Sequence, residues 1–170
     1  MTDPTTTSAA ATPAATTRST DHGTFAIERV FAHPPELVYR AFGDPTAKAG
    51  WFFGPDGSDG LEHTLDFRVG GREHMGSAQP DDSSFTFDAT YLDIVPDERI
   101  IYAYEMTIGG RRISASLACL VFHRVDGGTH LTVTEHGIFL DGLDRVEERE
   151  RGTRELLDQL GTWLDAGGAA

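Results

Sequence analysis

Apolar and polar residues change their spacing along the chain, and each change predicts an element. Thr24-Phe25-Ala26-Ile27-Glu28-Arg29-Val30-Phe31 alternates, with Phe25, Ile27 and Phe31 on one side, which predicts a strand of about eight residues. The step His33-Pro34-Pro35-Glu36 stops it. Proline fixes φ and suits a first helical turn, so Pro35-Glu36 opens a helix. Leu37, Val38, Ala41 and Phe42 form its apolar stripe, and Gly43-Asp44-Pro45 breaks it. A second short helix through Lys48 is expected to end at Trp51-Phe52-Phe53 and the following Gly54-Pro55.

From Leu61 the period becomes two. Leu61, His63, Leu65, Phe67 and Val69 share one face, while Glu62, Thr64, Asp66 and Arg68 share the other. Gly70-Gly71 signals a hairpin, Arg72 to Gln79 is the return strand, and Pro80 to Ser84 the next turn. Phe85, Phe87, Ala89 and Tyr91 alternate again, before a turn at Val95-Pro96-Asp97-Glu98. Tyr102, Tyr104 and Met106 follow on one face; Gly109-Gly110 turns into Arg111 to Arg124, and Asp126-Gly127-Gly128 into Leu131, Val133 and Glu135. Asp144 to about Ala166 then reads as a helix with a stripe of Val146, Thr153, Leu156, Leu157, Leu160 and Leu164. Its charges are assigned to a solvated face, with Glu147/Arg151 and Glu150/Arg154 at the favourable spacing.

Hairpin-linked strands with one apolar face need a cover, and only the last helix is long enough to supply it. The expected fold class is α+β: a curved antiparallel sheet of about seven strands around a long C-terminal helix, with two short helices after the first strand. Residues 1–22 are expected to be a disordered tail, 23–167 the domain and 168–170 a C-terminal tail. Seventeen of the first twenty residues are Thr, Ala, Ser or Pro, too polar to offset the entropy of ordering. The segment also lacks the basic start and apolar run of a secretory signal, so cytoplasmic residence is the default expectation.

Charge removes whole classes of partner. With 14 Lys+Arg against 27 Asp+Glu the net charge is −13, which repels nucleic-acid phosphates and anionic membrane surfaces. The single cysteine, Cys119, excludes an internal disulfide and a multi-cysteine zinc site; mid-strand, it is expected to behave as a small buried hydrophobe. No run approaches the roughly 18 apolar residues of a membrane span.

The order of elements resembles the helix-grip fold of the START-like (SRPBCC) superfamily, and the local motifs resemble its AHSA1-like branch, the homologues of an activator of a heat-shock chaperone ATPase. The resemblance rests on Glu28-Arg29-Val30-Phe31 before Pro35-Glu36-Leu37-Val38-Tyr39, on Trp51-Phe52 with Gly54-Pro55, and on Asp66-Phe67-Arg68-Val69-Gly70-Gly71-Arg72. It continues through Ile94-Val95-Pro96-Asp97-Glu98-Arg99-Ile100, Gly128 to Glu135, and Arg151-Gly152-Thr153-Arg154-Glu155-Leu156-Leu157, covering roughly residues 24 to 166. Many members carry Gly-Trp where this chain has Gly152-Thr153, which points to a different pocket or a neighbouring subgroup. Members of the superfamily mostly hold apolar small molecules between sheet and helix, and a few are cyclases or hydrolases.

Alternation places His63 with Leu61 and Leu65, and Glu135 with Leu131 and Val133. A titratable group aimed into an apolar cavity has a shifted pKa, which is how acid–base catalysts are tuned. In one reading His63, Glu135 and the hydroxyl of Tyr102 or Tyr104 converge on a ligand. In the other, Glu135 reaches water or pairs with an Arg, and His63 makes one satisfied hydrogen bond. The expected ligand-binding set is Trp51, Phe52, Phe67, Phe87, Tyr102, Tyr104, Glu135, Phe139, Thr153 and Leu157, for an apolar or aromatic small molecule. Glu135 is the one acidic residue whose position runs against an outward distribution of charge, and Glu135 and His63 are the only catalytic candidates. A cyclase or hydrolase acting on a polyketide-like substrate is the alternative. A chaperone-regulating role is the third, although its known setting uses a further N-terminal domain. His123, His130 and His136 are expected on the surface, no motif calls for a metal or cofactor, and a homodimer is left open.

Overall fold

The computed structural model describes residues 18–53, 61–77 and 81–168. The first strand, β1 (Thr20–Phe31), leads into the helices α1 (Pro35–Gly43) and α2 (Pro45–Phe52). There follow β2 (Leu61–Leu65), β3 (Arg72–Ser77), β4 (Phe85–Val95), β5 (Arg99–Ile108), β6 (Arg111–Val125) and β7 (Gly128–Leu140), then α3 (Val146–Asp165). The strands form one antiparallel sheet in the order β1-β7-β6-β5-β4-β3-β2. Thus β2 to β7 run as a meander, and β1 is added at the far edge against β7. Register shifts between Tyr91 and Asp93 and between Met106 and Thr107 help bend the sheet. No helix among the described residues is long and apolar enough to cross a membrane.

Local chemistry explains the helices. Asp44 closes α1 and caps α2, its side chain accepting from the Ala47 N–H at 2.8 Å, while Pro45 pre-sets the first turn. At the opposite end of the sheet, α3 settles directly on β1. A Cβ built on Gly23 would lie 2.4 Å from Val146 Cβ, so only glycine admits the start of α3 at this point. The concave face and α3 close over Ile27, Ile100, Leu120, Leu131, Leu160 and Leu164, none more than 2% exposed.

Three boundaries differ from those the pattern predicts. The first strand begins at Thr20, not Thr24, so the tail boundary at His22 moves toward the N-terminus. β7 continues to Leu140 and offers its backbone to Thr20–Gly23, while Asp141 accepts from the Ser19 N–H at 2.9 Å. Backbone pairing of this kind leaves no hydrophobic signature. β2 stops at Leu65, and Phe67 and Val69 belong to the connection that follows. That connection folds onto itself: Gly70 has φ 78°, and a Cβ on Gly71 would sit 2.0 Å from the Asp66 carbonyl oxygen. α3 starts at Val146, two residues after Asp144. The expected break at Gly54-Pro55, the end of the return strand at Gln79 and most of the expected tail lie outside the described residues.

Gly152, inside α3, faces open space, with nothing within 4 Å of a built Cβ. Gly152→Ala should therefore stabilise the protein by about 1 kcal/mol through helix propensity alone. Chemical denaturation checks this, and a loss of stability would show that space to be occupied.

Candidate functional site

Two buried carboxylates stand on the concave face, each inside its own polar network. Glu73, on β3, alternates with Met75 toward the core and is 2% exposed. Lys48 shares an α2 face with Trp51 and Phe52, at i, i+3 and i+4, and its Nζ donates to Glu73 Oε2 at 2.6 Å. The Tyr91 hydroxyl donates to the same oxygen at 2.6 Å, and His63 Nε2 lies 3.0 Å from Oε1. Burial by itself would raise the Glu73 pKa, but Lys48, His63 and Tyr91 outweigh it and hold the carboxyl below its ordinary value.

The second network joins β7 to α3. Glu135 is 3% exposed and accepts from the Tyr104 hydroxyl at 2.6 Å and from Arg149 Nη1 at 3.3 Å. Arg149 also donates to the Tyr104 oxygen at 2.6 Å and to Ser114 Oγ at 2.8 Å, and it pairs with Asp144. Its guanidinium carbon lies 5.5 Å from the Tyr104 ring centre and 5.6 Å from that of Phe139. Burial would lower the Arg149 pKa, yet Tyr104, Glu135 and Asp144 together raise it. The phenol of Tyr104 is pushed up, first by burial and then by Glu135.

Tyr102 stands between these networks. Register sets it beside Tyr91 on β4 and Ala118 on β6, and Ala118 is paired with Glu135. Its ring touches Phe87, Tyr91 and Tyr104 at centroid distances of 6.2, 5.9 and 5.7 Å. Its hydroxyl makes no hydrogen bond to another described residue, and the side chain is half-buried; the buried side-chain atom without a partner among the described residues is Ser116 Oγ, on neighbouring β6. Burial, followed by Tyr104, Glu135 and Glu73, drives this phenol far above its usual pKa, so it is a protonated donor. Phe52, Phe53, His63, Met106, Thr153 and Leu156 are half-buried as well. On α3 itself Leu157, Leu160 and Leu164 are buried, whereas Thr153 and Leu156 are half-buried.

The expected ligand set divides accordingly. Phe52, Phe67, Tyr102 and Thr153 are half-buried, whereas Trp51, Phe87, Tyr104, Glu135, Phe139 and Leu157 are buried. Trp51 is committed to structure, donating from Nε1 to the Ala41 carbonyl at 2.7 Å. Phe67 packs edge-on against Tyr39 and Tyr91 from the β2–β3 connection. Phe139 lies under Arg149, and Thr153 donates to the Arg149 carbonyl at 2.9 Å. Of the catalytic candidates, Glu135 pairs with an arginine and His63 with Glu73; they stand on β7 and β2 with no partner in common.

Glu135 is not alone in running against the outward charge pattern: Glu73 does so too, as do Lys48 and Arg149. Arg149 departs from the solvated face assigned to the α3 charges. Its side chain is 10% exposed, and its spacing from Val146 and Thr153 places it on the apolar stripe. Cys119 departs as well, lying half-buried on the convex face between the inward Ala118 and Leu120, with burial pushing its thiol up. His123 and His136 are exposed and His130 is half-buried. Two grooves, of about 720 and 580 Å³, lie on the convex face over Thr64, His74 and Asp88 and over Leu117, His136 and Ile138.

The depressed Glu73 pKa carries a sign for acid stability. Between the folded value and the ordinary 4.5 the unfolded chain binds the extra proton, so stability present above that range is lost as pH falls through it. Glu73→Gln should be less stable than wild type at neutral pH and show a shallower loss on acidification. Unfolding midpoints measured across the acid range test this, and parallel curves would contradict it.

A curved antiparallel sheet gripping one long C-terminal helix, with two short helices after the first strand, defines the α+β helix-grip class. Within that class the chain belongs to the AHSA1 family, described as Activator of Hsp90 ATPase homolog 1-like protein, which matches residues 32–165. A protein from Rhizobium leguminosarum is 44% identical, with a TM-score of 0.82 over 89% of this chain and 99% of that one. Mll3558 from Rhizobium loti is 41% identical, with a TM-score of 0.77 over 85% of this chain and 98% of that one. CV1439 from Chromobacterium violaceum is 30% identical, with a TM-score of 0.66 over 82% of this chain and 94% of that one. No match is found among curated proteins.

Proposed function

We propose that the protein binds an apolar or aromatic small molecule between the concave sheet face and the first half of α3. The observation that carries this reading is Tyr102: a phenol enclosed by three other aromatic rings, half-buried, with no partner for its hydroxyl among the described residues. A hydroxyl not engaged by another side chain is free to donate to a molecule that enters between these rings. The apolar surroundings with a few fixed polar groups suit a small-molecule site, and the superfamily mostly uses this space for apolar ligands. Binding is favoured over turnover because Glu135 and His63 are each engaged in a separate network and do not face one reacting atom.

Titration with Nile red, an uncharged apolar fluorophore, tests the reading. Saturable binding at one dye per chain is expected. Thr153→Trp, which restores the bulk many relatives carry here, should weaken it by about tenfold or more by filling the space. Absence of saturable binding to the wild type, or equal binding to a folded Thr153→Trp variant, would remove the site from this position.

A further inference from the structure

The charges around this space are closed on themselves. Lys48 is taken by Glu73, and Arg149 by Glu135 and Asp144, so the carboxylates outnumber the cations three to two. These side chains are between 1% and 12% exposed, so water screens them poorly. His63 is turned to Glu73 as well, and the phenols of Tyr91 and Tyr104 donate to Glu73 and Glu135. Among the described residues of these two networks no cation remains to receive an anionic ligand, and a carboxylate moved inward would meet a surplus of negative charge without its hydration. Among the described residues the Tyr102 hydroxyl, half-buried between the two networks, makes no hydrogen bond and is a neutral donor; the fully buried atom without a partner is Ser116 Oγ.

Building on the proposed binding function, we infer that the site takes an uncharged apolar molecule carrying one hydrogen-bond-accepting oxygen, which Tyr102 receives, and rejects the corresponding carboxylate. Selectivity then comes from two sources. Tyr102 supplies the favourable contact, and the Lys48–Glu73 and Arg149–Glu135–Asp144 groups, by being satisfied already, supply the exclusion. An aromatic or aliphatic ketone fits these requirements; a fatty or aromatic acid in its ionised form does not.

Displacement of Nile red from the full chain at neutral pH by three probes of one shape separates the alternatives. Methyl naphthyl ketone should displace the dye at about tenfold lower concentration than naphthalene, which lacks the oxygen. It should do so at about a hundredfold lower concentration than naphthoate, which carries the charge. In Tyr102→Phe the advantage of the ketone over naphthalene should collapse, with circular dichroism reporting the fold. Naphthoate competing as well as the ketone would overturn the exclusion of anions, and a folded Tyr102→Phe that keeps the tenfold preference would overturn the role of Tyr102. If that variant does not fold, the wild-type order of the three probes still decides. Failure of Nile red itself to bind would instead strike the binding function on which this inference rests.

Discussion

Lys48→Met is expected to destabilise the protein by about 3–5 kcal/mol, because it strands the Glu73 carboxylate in the core. The lysine and glutamate side chains are 7% and 1% exposed, and the ammonium is the charge nearest to that carboxylate. Tyr91 would still donate to Oε2, but a hydrogen bond from a neutral hydroxyl does not replace an ammonium. The double variant Lys48→Met/Glu73→Gln should recover most of the loss, since the penalty comes from the unpaired charge more than from the missing attraction. Equilibrium unfolding in urea resolves the difference. A single variant within about 0.5 kcal/mol of wild type would mean that water reaches Glu73 and the pair is not desolvated.

Arg149→Met should have an effect of similar size, about 3–5 kcal/mol, for a related reason with a different geometry. One guanidinium joins the strand residues Glu135, Tyr104 and Ser114 to Asp144 just before α3. Removing it unpairs a buried carboxylate and detaches the first turn of the helix from the sheet. Arg149→Lys should rescue only part of the loss, because a single ammonium cannot span Tyr104, Ser114 and both acids as the planar fork does. Denaturation of the two variants side by side is the measurement. Full rescue by lysine would reduce the interaction to simple charge balance.

Much of the architecture was legible because a half-buried sheet writes its faces into the sequence at period two. The alternation of Leu131, Val133 and Glu135 by itself places that glutamate inward, and the aromatic Tyr102 and Tyr104 likewise. What escaped did so for identifiable reasons. Arg149 falls at the apolar spacing of α3, but a charged side chain in an acidic, arginine-bearing helix reads as solvent-facing unless its partners are known. Glu73 alternates with Met75 as clearly as Glu135 does with Val133; β3 is short and its other neighbours are Arg72 and His74, so no apolar run draws attention to its inward face. Lys48 became buried because a carboxylate waits for it on another element, which spacing within one element cannot reveal. Phe67 kept its aromatic role after leaving the strand assigned to it, since Tyr39 and Tyr91 hold the ring from either side of the β2–β3 connection.

The position of β1 at the sheet edge has a consequence for how the molecule assembles. Each of the strands β2 to β7 pairs with a neighbour in sequence, so the meander can grow by successive local hairpins. β1 pairs with β7 alone, and Phe25 and Glu135, which sit opposite each other, are 110 residues apart. During synthesis the first strand leaves the ribosome well before its template exists, and its docking bears the entropy of closing nearly the whole chain. β1 is thus the element expected to join last, and until it does, β7 keeps an open edge and α3 lacks the glycine seat on which it rests.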